Sequence, residues 1–178
     1  PYGFAEPFWA ITCLAPIARD VADTALLFGV AAGIDRSDPD SRALMPPRPE
    51  PVETLHMAVA PMLGLDGPVD DDVQATFEAA IRRLSARFRF HSAVPRWPAA
   101  MTAPMLMAVQ HAGLAALHGE AYRQAPEMFD PDVAAQIERG MTLTGAEVAG
   151  ALETSQQIRR AVAAFFTEAD ILISLTTT

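Results

Sequence analysis

Few side chains in this sequence have the types and spacings that chemistry requires, and one type is missing altogether. All thirteen basic residues are arginine, so no lysine amine can serve as a base or nucleophile. Cys13 is the single cysteine, which excludes an intrachain disulfide or a cysteine cage for a metal. No base or cationic cluster accompanies it in sequence, so it reads as a small buried apolar residue rather than a nucleophile. His111 and His118 stand seven apart on an expected helix, near one face. Zinc pairs use tighter spacing and a third ligand, and no His-Glu-x-x-His occurs, so packing or surface positions are expected. Arg19 and Asp23 are one helical turn apart and are expected to pair. Met101, Met105 and Met107 cluster around Pro104, where core filling is favoured over pocket lining. There is no P-loop, dinucleotide fingerprint or Gly-x-Ser-x-Gly elbow. These residues assign no catalytic, cofactor-binding or metal-binding position, imply no cofactor, and leave the substrate-binding residues open.

Composition narrows the class. Hydrophobic residues make up 51% and charged residues 20% of 178, enough for a core and too few charges for extended disorder. A net charge of −9 argues against non-specific nucleic-acid binding, which needs concentrated positive charge. Arg82, Arg83, Arg87 and Arg89 are clustered, but Asp70, Asp71 and Asp72 precede them, the pattern of a solvated helix with anions first and cations last. No apolar run reaches membrane-spanning length, so no membrane partner is expected, and the single cysteine fits a cytoplasmic location. Asparagine is absent too, while Ala, Arg and Pro abound, as a GC-rich coding sequence would give. Such bias would still retain a catalytic lysine.

The elements that would position any site follow from periodicity. Helices are expected over residues 17–32 (Val21, Ala25, Phe28 and Ala32 on one face, Pro16 at the first turn, Gly33 as terminator), 70–86 (stripe Val73, Phe77, Ile81, Leu84), 104–123, 132–139 and 144–168. The last opens on Thr144-Gly145-Ala146-Glu147, a capping box, and carries Val148, Leu152, Val162, Phe165 and Phe166 as apolar positions. Short apolar runs at 55–60, 88–94 and 171–175 read as strands, the second half wet because Arg89 and His91 alternate with apolar neighbours. Residues 4–15 read as a loop or short extended piece, and 34–53 as a surface loop. Strands separated by helices give an α/β fold with a largely parallel sheet, part of a mixed sheet flanked by helices. Three strands are few for so much helix, as in a portion of a larger sheet. No boundary divides the chain, so residues 1–178 read as one partial domain.

Two stretches carry a family resemblance. One runs Ala15-Pro16-Ile17-Ala18-Arg19-Asp20-Val21-Ala22-Asp23-Thr24-Ala25-Leu26-Leu27 and on through Ala31-Ala32-Gly33-Ile34-Asp35-Arg36-Ser37-Asp38-Pro39-Asp40-Ser41. It resembles the G-P-x-A-R-[TS]-V-x-D-x-A-L-L segment and the A-G-x-D-x-x-D-P-x-S loop of amidase-signature hydrolases. The other, Ala163-Ala164-Phe165-Phe166-Thr167-Glu168-Ala169-Asp170-Ile171-Leu172-Ile173, is similar to their later F-F-x-x-[YF]-D-x-L-L-T-P-T. Three departures stand out: Ala15 for glycine, Asp20 for threonine or serine, and Leu175 for the proline of the late motif. The resemblance implies a parent that cleaves small carboxamides through a serine acyl-enzyme, using a serine, a second serine and a lysine in a Gly-Ser-rich region N-terminal to these segments. None of those residues matches here. The chain, which opens Pro1-Tyr2-Gly3, is therefore expected to be an internal portion supplying scaffold and pocket wall, inactive and poorly soluble alone. The alternative is a non-catalytic module or split subunit completing an amidase or amidotransferase site in trans. A small-molecule amide substrate and a homo-oligomer of the parent are the partners the resemblance suggests.

Overall fold

The computed structural model describes residues 15–38, 41 and 54–176. The elements run α1 (Val21–Ala31), β1 (Met57–Val59), α2 (Asp71–Leu84), β2 (Phe90–Ser92), α3 (Ala103–Gln124), a 3-10 turn at Pro126–Met128, α4 (Pro131–Thr142), α5 (Gly145–Phe165) and β3 (Ile171–Ile173). The chain partitions into two compact units. One comprises Pro1–Arg48 with Met107–Val148, the other Pro49–Leu106 with Ala149–Thr178.

In the second unit the three strands lie in the order β2-β1-β3, parallel in both ladders. Met57 pairs with Phe90 on one side and Ile171 on the other. Central β1 is the buried strand: Met57 and Ala58 are buried, as is Ala60 just beyond it. β2 turns one half-buried and two exposed residues outward, as its alternating sequence implies. The α/β class and parallel pairing agree with the sequence reading. The strands are shorter than their apolar runs because flanking residues leave the ladder while still packing.

The starts of α2, α4 and α5 have local causes. Asp70 and Asp130 accept the N–H groups of Asp72 and Asp132, both at 2.9 Å, capping α2 and α4, and Pro131 fills the first helical position. The capping box ahead of α5 forms in both directions: Thr144 N–H donates to Glu147 at 2.8 Å, and Glu147 N–H to the Thr144 hydroxyl oxygen at 3.2 Å. The Thr144 N–H first, and the Thr144 hydroxyl donating at 2.9 Å second, hold the Glu147 carboxyl below its ordinary value.

The first unit is organised around the crossing of α3 and α4. Ile137 and Gly140 of α4 and Ala108, Gly113 and Gly119 of α3 are buried. Gly140 sits where an added Cβ would fall 2.0 Å from the His111 carbonyl oxygen, so the helices meet backbone to side. Gln110 donates to Gln136 at 2.9 Å, and Tyr122 hydrogen-bonds Glu138. His118 and Tyr122 present ring edges to Phe129, at centroid distances of 6.2 and 5.7 Å.

α1 departs from expectation. It begins at Val21, not 17, because Asp20 is its cap, accepting Asp23 N–H at 2.9 Å; Pro16 therefore lies outside it. Arg19 falls ahead of the cap, so the one-turn spacing to Asp23 is not helical and the expected ion pair does not form. The expected buried face is absent too: no α1 side chain is buried.

Candidate functional site

In a parallel sheet, ligands bind beyond the carboxyl ends of the strands where the strand order reverses. Here the chain passes from β1 to β2 on one side and reaches β3 on the other. The reversal falls between the ends of β1 and β3, within the second unit. Two recesses open there. One, of about 280 Å³, is lined by residues 61–63, 65–68, Leu175 and Thr176. The other, of about 380 Å³, lies between the start of α2 (Asp72, Val73, Thr76, Phe77) and Ser174 to Thr176.

The walls are firmly tied. Asp170 accepts the His56 N–H at 2.7 Å and returns its own N–H to the His56 carbonyl at 2.8 Å, locking the entries of β1 and β3 together. At their exits Ala60 N–H donates to Ile173 and Leu175 N–H to Pro61, both at 3.0 Å. The second bond gives the Leu175 departure a physical meaning, since proline there would have no N–H to donate. The turn after β1 takes positive φ at Leu63 (56°) and Gly64 (75°). A Cβ on Gly64 would meet the Val94 side chain at 3.3 Å. The Trp97 indole N–H donates to the Leu63 carbonyl at 2.6 Å, holding this uncommon leucine conformation in place.

The ionisable groups lining these recesses are Asp66 and Asp72; no basic side chain lines either. The Ser174 and Thr176 hydroxyls share these walls with the two carboxylates but hydrogen-bond to neither. The surface can cradle an apolar group next to carboxylates, but it does not bring a hydroxyl into hydrogen-bond contact with a proton acceptor. A larger recess, about 410 Å³, lies at the opposite strand ends and is lined by His56, Arg87, Arg89 and His91 among others.

The residues weighed in the sequence are scattered. Cys13 lies outside the described residues. His111 packs on α4 through its backbone, while His118 makes a ring contact; the two do not converge on a shared ligand. Met105 packs where Gly150 leaves room, its methyl 3.3 Å from the position of an added Cβ, which is gap filling. Arg82 pairs with Glu78 at 3.6 Å, and Arg87 stacks over Phe88 at 5.4 Å. Sequence reading missed the Asp170 clamp and the Trp97 bond. An aspartate directly before an apolar strand was a signal for the first; nothing local announces the second.

The comparisons with known proteins agree with this architecture. The Amidase family model matches residues 2–178. The chain belongs to the amidase family. An amidase from Pseudomonas putida is 29% identical over 180 residues, covering 98% of this chain and 38% of that protein. The structure of 6-aminohexanoate cyclic dimer hydrolase superposes with a TM-score of 0.58 at 17% identity, covering 85% of this chain and 34% of that one. This amidase chain thus spans little more than a third of either relative. The family loop after α1 also gains its reason here. Asp35 N–H donates to the Ser41 hydroxyl oxygen at 2.9 Å, Ser41 Oγ lies 2.8 Å from the Asp38 carbonyl oxygen, and Ser41 is buried. Asp20 likewise does what threonine or serine would do at a helix cap. Among the described residues no helix is long and apolar enough to cross a membrane.

Proposed function

We propose that this chain is the scaffold and pocket-wall portion of an amidase-family hydrolase that cleaves small carboxamides. The reaction needs a serine whose Oγ adds to the amide carbonyl while a base takes its proton. The amine then leaves with a proton, and water hydrolyses the acyl-enzyme. The observation that carries the reading is a family match across the chain combined with the absence of lysine. The chain has the family's framework without the base that the chemistry needs. In this reading the β1 and β3 exits, with Leu175 and Thr176 shared by both recesses, border the substrate, and the nucleophile comes from polypeptide not represented in these 178 residues.

The purified chain, assayed for ammonia release across a panel of small aliphatic and aromatic carboxamides, should show none above the buffer rate. Turnover that survives repurification and tracks the chain's own peak would overturn the reading.

A further inference from the structure

The sequence pattern sets Arg87 and Arg89 with the cationic end of α2, but the helix stops at Leu84, and both belong to the connection leading into β2. There they line the recess of about 410 Å³ together with His56 and His91. Strand register explains the grouping. Met57 pairs with Phe90 and Ala58 with His91, and the register continued one residue back sets His56 level with Arg89. Side chains alternate along a strand, so Arg89 and His91 share a face of the sheet, and His56 shares it with them. Adjacent strands lie about 4.8 Å apart, and alternate residues of one strand about 6.6 Å apart. Three donor-bearing side chains thus come within reach of one small ligand.

All three are exposed. Among the described residues, none of the three side chains forms an ion pair or hydrogen bond, and no carboxylate lines the recess. Asp170 accepts the His56 N–H at 2.7 Å, but it leads into β3, on the far side of β1 from β2. A chain of net charge −9 therefore gathers cationic and imidazole groups at one place. We propose that this recess is an anion site that takes a phosphate monoester. Arg89 offers a planar fork of N–H donors, and each imidazole offers one more. A phosphate monoester presents three acceptor oxygens and a charge of about −1.5 to −2, which suits three donor side chains better than the two oxygens of a carboxylate. Volume selects an esterified phosphate over the free ion. The recess falls within the range of roughly 300–1,000 Å³ that holds small organic molecules. Phe88, half-buried beneath the Arg87 guanidinium at 5.4 Å, gives the organic part an apolar wall.

The test uses the four histidines as reporters, two in the recess and two, His111 and His118, on α3. Phenyl phosphate and inorganic phosphate are each titrated into the 178-residue chain with isotope-labelled histidine, at constant pH and with ionic strength held by sodium chloride. The imidazole resonances of His56 and His91 should shift and saturate while those of His111 and His118 stay in place, and phenyl phosphate should saturate at the lower concentration. Arg89→Gln should weaken phenyl phosphate binding at least about fivefold. Arg83→Gln, at an exposed α2 position outside the recess, should leave it unchanged. His91→Gln, read at His56, repeats the test should Arg89→Gln disturb folding. Shifts that do not saturate, equal shifts at all four histidines, tighter binding of inorganic phosphate than of phenyl phosphate, or equal losses in Arg83→Gln and Arg89→Gln would overturn the proposal. Each of these outcomes leaves the proposed function untouched, because none involves amide hydrolysis.

Discussion

Gly140→Ala is the sharpest probe of the α3–α4 crossing. The methyl it adds would lie 2.0 Å from the His111 carbonyl oxygen, 2.6 Å from that carbonyl carbon and 2.8 Å from the Ala115 Cβ. Non-bonded carbons sit at about 3.5–4.0 Å, so the helices must part by roughly 1 Å or more along this line. No rotamer change relieves the contact, because two of the three atoms are backbone of a continuous helix. Alanine gains about 1 kcal/mol over glycine in helix propensity. Over-packing costs about 1–3 kcal/mol, and a rigid backbone obstacle places this site at the top of that range or above. The net loss should be about 2 kcal/mol, which lowers Tm by roughly 4–8 °C for a chain of this size.

The assay is thermal and urea unfolding by circular dichroism, with Gly29→Ala as the control. Gly29 is also mid-helix, yet an added Cβ there meets nothing within 4 Å, so propensity acts alone and stability should rise by about 0.5–1 kcal/mol. Equal or greater stability in Gly140→Ala would mean that the helices do not cross at this distance. The account of the first unit's core would then fail.

Other consequences are open to measurement. Asp170→Ala removes the acceptor of the His56 N–H and should cost about 1 kcal/mol, with faster amide exchange at residues 171–173; unchanged exchange there would remove Asp170 as the strand clamp. Leu175→Pro restores the residue of the family motif but deletes the donor to Pro61, and should lower the urea midpoint by an amount equivalent to about 1 kcal/mol. Thr144→Ala should cost about 1 kcal/mol through loss of the α5 cap, read as a lower Tm. Burial first, and the Arg139 charge second, hold His111 below the ordinary imidazole value. The unfolded chain therefore takes up a proton near pH 6.5 that the folded chain accepts only at lower pH. This contribution is complete above about pH 6.5, is lost as pH falls through the window beneath it, and levels off below the folded value. His111→Gln should flatten that part of the stability–pH curve, and an unaltered slope would exclude His111 as its source.

Local chemistry was the legible part of this molecule. The cap at Thr144, the acidic start of α2, strand runs around Met57, Phe90 and Ile171, and helices bounded to within a few residues all follow from interactions among near neighbours in sequence, which the sequence displays directly. What was not legible depends on distant partners. The stripe Val73, Phe77 and Ile81 was expected to be buried and is only half-buried, while in α5 the buried residues are Ala151 and Thr154 rather than the large apolar side chains. Small residues are buried where elements approach closely, and close approach is decided by the facing element. The Trp97 bond to Leu63 spans 34 positions, and no local pattern encodes it.

The failure at α1 differs in kind. Its pattern reads as a stripe of Val21, Ala25, Phe28 and Ala32, but Leu27 and Val30 are apolar as well and point elsewhere. Weighted equally, those residues surround the helix, and the pattern was that of an interior element from the start. Among the described residues, none packs closely enough on α1 to bury one of its side chains. Hydrophobic periodicity thus records how much burial a segment's side chains favour, while solvent exposure records what the described residues supply. Where the two agree, as along β1, the element lies within the chain's own core.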